Sequence, residues 1–226
     1  MYKKPIIVFE GIEGSGKSHH ISIVAKYLDK KGIKYLKLRE PGGNANSEKI
    51  RKLILNSNSN FNKNTDLFLY MAARSENIAQ VKKFYKKRLI LIDRFTDSTI
   101  AYKHFGMGVD LKLIKTINNY LLEDIKIDFT FLNIVNKKNL FSRLKLRKSL
   151  NRYDKFDSNF YNKVQNGFIK LSKLKRGSYQ IINSNLSIRL NEGLILSRIE
   201  KLIKWNVNPQ YKKIYMVINY YLTIWL

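Results

Sequence analysis

Cysteine is absent from all 226 residues, so no disulfide braces the chain and no thiolate can hold a metal. A metal would take oxygen or imidazole ligands, and a reducing cytoplasm is the expected compartment. Proline occurs only three times; with 44% hydrophobic and 12% aromatic residues, this excludes collagen-like, mucin-like and generically disordered chains. Long apolar runs are missing as well. Residues 214–226 (IYMVINYYLTIWL) fall short of the roughly 18 to 20 residues that cross a bilayer, and the run that follows Lys4 is cut by Glu10 too early for a secretion signal. Acid is scarce: 17 Asp and Glu stand against 43 Lys and Arg, a formal charge of +26. Such a field attracts nucleotides, nucleic acid or anionic membrane. Lysines nevertheless scatter in ones and twos from Lys3 to Lys213 with no basic arm, which reads as compositional background, so neither nucleic acid nor membrane is an expected partner. Only eleven of the basic residues are arginine, which makes their positions informative.

A chain this long buries roughly 70% of its unfolded surface and needs no staples. Along it, short apolar runs alternate with helical patterns. Strands are expected at residues 6–10, 35–38, 89–92, 129–134 and 179–182. Helices are expected at 17–31, 47–55, 65–85, 98–104, 111–122, 137–147, 158–174 and 186–205. The fully apolar run at 89–92, ending in Asp93-Arg94, has the look of a buried parallel strand. Alternation throughout predicts an α/β, three-layer domain with a five-stranded, mainly parallel sheet flanked by helices. The best boundary is 206–210, leaving a domain at 1–205 and a hydrophobic tail at 206–226 of unknown role. For that tail a docked strand or helix, a loosely packed end and a peripheral anchor stay open.

Gly11-Ile12-Glu13-Gly14-Ser15-Gly16-Lys17-Ser18 matches G-x-x-x-x-G-K-[ST] at every fixed position, with a strand before it and a helix after. Such a loop wraps backbone amides around a β-phosphate, adds the positive end of a helix, reaches β- and γ-oxygens with Lys17 and ligates Mg²⁺ with Ser18. The chain therefore binds a nucleoside triphosphate. The motif alone leaves a motor, a GTPase, a DNA-handling ATPase and a small-molecule kinase open.

Four further strings follow in order: Arg39-Glu40-Pro41-Gly42-Gly43, Ala72-Ala73-Arg74, Asp93-Arg94-Phe95, and Ser98 with Ala101-Tyr102. Together with Glu10-Gly11-Ile12-Glu13 they resemble the bacterial thymidylate (dTMP) kinases, over residues 6 to about 205. The resemblance implies a P-loop kinase fold with a helical lid at about 143–155, ATP and dTMP as substrates, Mg²⁺ as cofactor, a homodimer and a cytoplasmic location. It places Arg94 between acceptor phosphate and transferred phosphoryl, Asp93 on Mg²⁺ through water, Arg39 on the acceptor phosphate, and a cis proline at Pro41. It also places Glu13 on the deoxyribose 3′-hydroxyl, Arg74 on the base O4, Tyr70 in the place of the stacking Phe, Tyr102 against the sugar where a 2′-hydroxyl would project, and Ser98 among the substrate contacts. Relatives with a bare glycine where Gly14 stands bring the transition-state arginine from the lid, so Arg147 and Arg152 are the candidates, with Arg143 nearby. Arginine is retained at these positions in a lysine-rich chain because its planar fork has no lysine equivalent.

Two positions depart from the family pattern. Lys103 replaces the Gln that follows Ala-Tyr, and it can donate to a base carbonyl but cannot accept from N3–H. Met107 replaces the Arg of the next glycine-rich string. A kinase for another nucleotide would keep Lys17 and Asp93-Arg94, and an ATP-driven nucleic-acid protein would explain the charge without Arg39, Arg74 and Tyr102. The expected reaction is ATP + dTMP → ADP + dTDP, needing no general base because the monophosphate oxygen is already anionic.

Overall fold

The structure is a computed structural model describing residues 4–147 and 151–207; the tail from 208 onward, and part of the expected lid, lie outside the described residues. Five strands form one sheet: β1 (Ile6–Gly11), β2 (Tyr35–Arg39), β3 (Leu89–Asp93), β4 (Phe129–Ile134) and β5 (Tyr179–Asn183). Their order is β2-β3-β1-β4-β5, and every neighbouring pair is parallel. Each expected strand is present within one residue at its carboxyl end. β1 is buried along its length and β3 along Leu89–Ile92, which is why both read as unbroken apolar runs rather than alternating ones.

Among the described residues eight α-helices accompany the sheet: α1 (Lys17–Lys30), α2 (Ala45–Leu55), α3 (Lys63–Phe84), α4 (Thr96–Thr99), α5 (Leu111–Leu122), α6 (Lys137–Lys145), α7 (Ser158–Leu174) and α8 (Ile188–Val207). α8 runs through Asn206 and Val207, the first part of the expected boundary. One face of the sheet (Ile7, Phe9, Leu91, Phe131) packs on Ile21, Val24 and Leu28 of α1 and on Ile195 and Ile199 of α8. The opposite face (Ile6, Val8, Ile90, Ile92) packs on Ile78 and Val81 of α3. Period-two alternation along the strands thus makes the three layers.

α2, α3, α5, α6 and α7 each begin on an Asn or Asp whose side chain accepts from a first-turn amide: Asn44, Asn62, Asp110, Asn136 and Asp157. Such caps each contribute about 1 kcal/mol. α1 begins instead on Gly16 in the left-handed region (φ 91°), with no side-chain cap, leaving its first amides for another acceptor.

One element differs from expectation. The helix expected at 98–104 is α4 continued by a π-helical stretch, Ile100–Gly106, in which Tyr102 and Lys103 are consecutive and both buried. α7 lies tightly on it: a Cβ at Gly167 would come 2.5 Å from Phe105 Cδ2. Helix propensity alone says Gly167→Ala stabilises by about 1 kcal/mol, whereas overpacking a ring costs about 1–3 kcal/mol. The variant is expected to be destabilised, with a lower urea midpoint at unchanged slope; an equal or higher midpoint would show that Phe105 yields freely.

Candidate active site

β1 is the strand where the connections switch direction, β3 lying on one side and β4 on the other, and crevices in such sheets open at the carboxyl ends there. Register puts Arg39 beside Asp93, Asp93 beside Phe9 and Gly11 beside Asn133, so three loops meet at this edge. Gly11 (φ 135°) lies so close that a Cβ would sit 2.2 Å from the Asn133 carbonyl oxygen, a position open only to glycine. A cavity of about 300 Å³ opens there.

The loop from Gly11 to Ser18 forms one wall. Its Lys17 Nζ donates to the carbonyls of Gly11 (2.9 Å) and Ile12 (2.8 Å) and to Ser15 Oγ (3.4 Å). Burial, with Arg94 close by, pushes the Lys17 ammonium down to about 7 against the opposite pull of Asp93, Glu13 and Glu10. From outside, the loop is fixed by Ser184 Oγ and Asn133 Nδ2, which donate to the Ser15 carbonyl, and by Arg143, which donates to Gly14 O (2.9 Å) and Ser184 O (2.7 Å). Arg143 is therefore a brace for the loop rather than a free lid cation.

Arg94, in the left-handed region at φ 65°, stands across from that loop. It donates from one nitrogen to Gly11 O (2.8 Å) and Ser98 Oγ (3.4 Å), and from another to Glu13 Oε1 (2.7 Å). Tyr102 donates its hydroxyl to the second oxygen of Glu13. Burial disfavours the Glu13 carboxylate, but Arg94 and Lys17 hold it below the ordinary range. Beneath Arg94, the Glu10 carboxylate accepts from the Phe95 amide (2.9 Å), the Ser98 amide (3.1 Å) and Ser98 Oγ (2.5 Å), which fixes the turn after β3. Ser18 Oγ donates to Asp93 Oδ2 (3.3 Å), and Asp93 Oδ1 is buried with no hydrogen-bond partner. A hydroxyl beside an orphaned carboxylate oxygen fits Mg²⁺, which takes one or two protein ligands and completes its shell with phosphate and water. Among the described residues no three His, Cys, Asp or Glu gather as a metal cluster.

Arg39, at the mouth, is gripped by both oxygens of Glu48, its Nε and one terminal nitrogen lying 2.9–3.0 Å away. The Glu40–Pro41 bond is cis. Tyr70, Tyr102 and Ser98 all line the cavity, as does Arg147, which is paired with Asp154.

Two arginines lie elsewhere than the sequence reading puts them. Arg74 is 1% exposed beneath the wall, donating to Glu40 Oε2 (2.6 and 2.9 Å), Thr99 Oγ1 (2.8 Å) and Asn118 Oδ1 (2.5 Å), so Glu40 and Thr99 reach the cavity in its place. Arg152 pairs with Asp66 of α3 and is not among the residues lining the cavity. Lys103 is buried too, though among the residues lining the cavity, with two of its three donors on Asp66 and Tyr153. Sequence reasoning missed Arg51, which lines the cavity and donates to Pro41 O (2.6 Å), and Tyr153, another lining residue. The one available signal for Arg51 was its place on α2 three residues after Glu48.

Over most of its length the chain is similar to known proteins. A sequence model described as thymidylate kinase matches residues 9–195. A thymidylate kinase of Thermosipho africanus is 40% identical over 197 residues, covering 86% of this chain and 97% of that protein. One from Geotalea daltonii is 34% identical over 192 residues, covering 80% and 90%. The crystal structure of a thymidylate kinase from Ehrlichia chaffeensis superposes with a TM-score of 0.72 at 28% identity, covering 88% of this chain and 99% of that one.

Glu10 carries a pH signature. Burial, reinforced by Asp97, raises its pKa to about 7 from 4.5 despite its hydrogen bonds. The folded state then binds a proton that the unfolded chain releases, so the stability Glu10 contributes is full below about 4.5 and lost as pH rises through 7. In urea titrations the stability of the native chain minus that of Glu10→Gln should fall by on the order of 2 kcal/mol between pH 4.5 and 7 and stay level above. A flat difference would mean that the three donors keep the carboxylate ionised throughout.

Proposed function

The chain belongs to the thymidylate kinase family, and from that premise we propose how its site carries out the family's reaction, the ATP-dependent phosphorylation of dTMP to dTDP. It is a nucleoside monophosphate kinase, and the work of such an enzyme is to bring two polyanions end to end. The observation that carries the reading is the placement of Arg94. One guanidinium, pinned by the Gly11 carbonyl and the Glu13 carboxylate, stands between the triphosphate loop and the acceptor wall.

In this reading Gly11, Ile12, Glu13, Gly14, Ser15, Gly16, Lys17 and Ser18 cradle the ATP phosphates. The uncapped amides of α1 face the β-phosphate, and Lys17 exchanges its carbonyl partners for phosphate oxygens. Ser18, and Asp93 through water, would hold Mg²⁺, which would supply charge neutralisation to the phosphates. Arg39 and Arg94 clamp the acceptor phosphate, whose oxygen is already anionic near neutral pH and attacks without a protein base. Arg147 offsets charge on the moving phosphoryl. Glu13 takes the 3′-hydroxyl, Tyr102 closes the space a 2′-hydroxyl would need, Tyr70 stacks on the base, and Ser98 keeps Arg94 in place. Arg74 supports Glu40 and Thr99, which meet the nucleoside. For assembly and location we adopt the homodimer and the cytoplasm on the family resemblance; no helix among the described residues is long and apolar enough to cross a membrane.

The test is ADP release with dTMP, dUMP, UMP, CMP, AMP and GMP in parallel. dTMP should lead, and Arg94→Ala should lose about two decades or more in kcat, as removal of a preorganised charge donor does elsewhere. Equal rates across the panel would remove dTMP as the acceptor.

A further inference from the structure

Arg94 stands at φ 65°, a backbone conformation that side-chain-bearing residues rarely adopt, so the segment after it must be held from outside. That segment is α4, one turn long and begun without a side-chain cap of its own. From β1, Glu10 supplies the missing acceptor to the Phe95 and Ser98 amides. From the other side the turn is tied by Asp97. Its Oδ1 and Oδ2 accept from Lys175 Nζ (2.9 and 3.0 Å), and Oδ2 also accepts from the Tyr179 hydroxyl. Lys175 closes α7, and its carbonyl accepts from the Ser178 amide (2.9 Å) and hydroxyl (3.1 Å). Tyr179 opens β5 and hydrogen-bonds Thr130 of β4.

Asp97 is 2% exposed and is not among the residues lining the cavity. Its charge also disfavours the Glu10 carboxylate nearby. A second buried acid there is unfavourable unless it is paired, and Lys175 offsets its charge. What the arrangement supplies is placement. Neighbouring residues of one turn go to two different anchors: Ser98 gives its hydroxyl to Glu10 and accepts from Arg94, while Asp97 goes to the corner between α7 and β5. Without the second anchor, α4 would be held by β1 alone.

We propose that Asp97 is a positioning residue for the phosphoryl transfer: clipped by Lys175 and Tyr179 to the corner between α7 and β5, it sets where α4 lies, and with it the guanidinium of Arg94. The path of contact runs from Asp97 to its neighbour Ser98, from the Ser98 hydroxyl to Glu10 and Arg94, and from Arg94 to Glu13. Asp97, Lys175 and Tyr179 act through Arg94 and touch neither nucleotide. This rests on the reading of Arg94 given above and goes beyond it in naming what holds that arginine from outside the pocket.

Steady-state kinetics on the full chain test this. Asp97→Ala should lower kcat roughly tenfold and leave the KM for ATP within about threefold, because the phosphate loop keeps its own braces at Asn133, Ser184 and Arg143. In an Arg94→Ala background the same change should lower kcat no further, since its whole effect passes through that guanidinium; damage to the fold at large would add to the loss. In the nucleotide-free protein the Phe95 and Ser98 amides should exchange with deuterium about tenfold faster in Asp97→Ala, while those of β1 exchange as in the native chain. A kcat within about twofold of native, a further loss of about tenfold on top of Arg94→Ala, or exchange that is unchanged at Phe95 and Ser98 or equally faster along β1 would each overturn the proposal. Should Asp97→Ala fail to fold, Tyr179→Phe and Lys175→Met, which remove the two donors one at a time, decide by the same comparisons. Should the native chain reject dTMP, the reading of the acceptor falls while the exchange experiment still judges the clip.

Discussion

The pair formed by Arg94 and Glu13 sets the spacing on which the whole site depends. Arg94 leaves the end of β3 and Glu13 sits in the loop after β1, so the contact ties together the two segments that would hold the acceptor and the donor. Gly11 permits it by letting β1 approach β4 without a side chain, and Glu10 supports it by gathering the turn that follows Arg94. A shift of either segment would change the distance between two anions that must meet in line.

The acidic residues explain how so basic a chain keeps an ordered centre. Glu13, Glu40, Glu48, Asp66 and Asp154 each hold one or more of the cations in or beside the cavity, while many lysines stay on the exposed surface. Exposed pairs of this kind contribute little, about 0–1 kcal/mol. The buried ones matter because removal of either partner leaves an uncompensated charge.

Much of this was legible beforehand, for definable reasons. Strands such as β3 declared themselves because a parallel strand buried on both faces must be apolar throughout, and the phosphate loop because its glycines are dictated by backbone geometry. The Asn caps of α2 and α3 were the same kind of local signal, and reading them would have placed those helix starts two residues earlier. Arg74 and Arg152 were legible as important residues but not as to their partners. An arginine fork can serve a ligand or a buried carboxylate equally well, and Glu40 and Asp66 lie 34 and 86 residues away in sequence. Lys103 was legible only as a replacement for the family's Gln, because its counterion Asp66, on another helix, carries no local mark.

The widened coil at Ile100–Gly106 has a consequence for how this chain can vary. A π-helical turn rotates successive side chains by less than the roughly 100° of an α-helix, so neighbours in sequence point more nearly the same way. Tyr102 can thus reach Glu13 while the next residue, Lys103, reaches Asp66. Loss of a single residue from this stretch would rewind it to the tighter form and swing one of the two out of its socket. Its length is therefore constrained apart from its composition, and insertions or deletions tolerated in the surface loops would be excluded here.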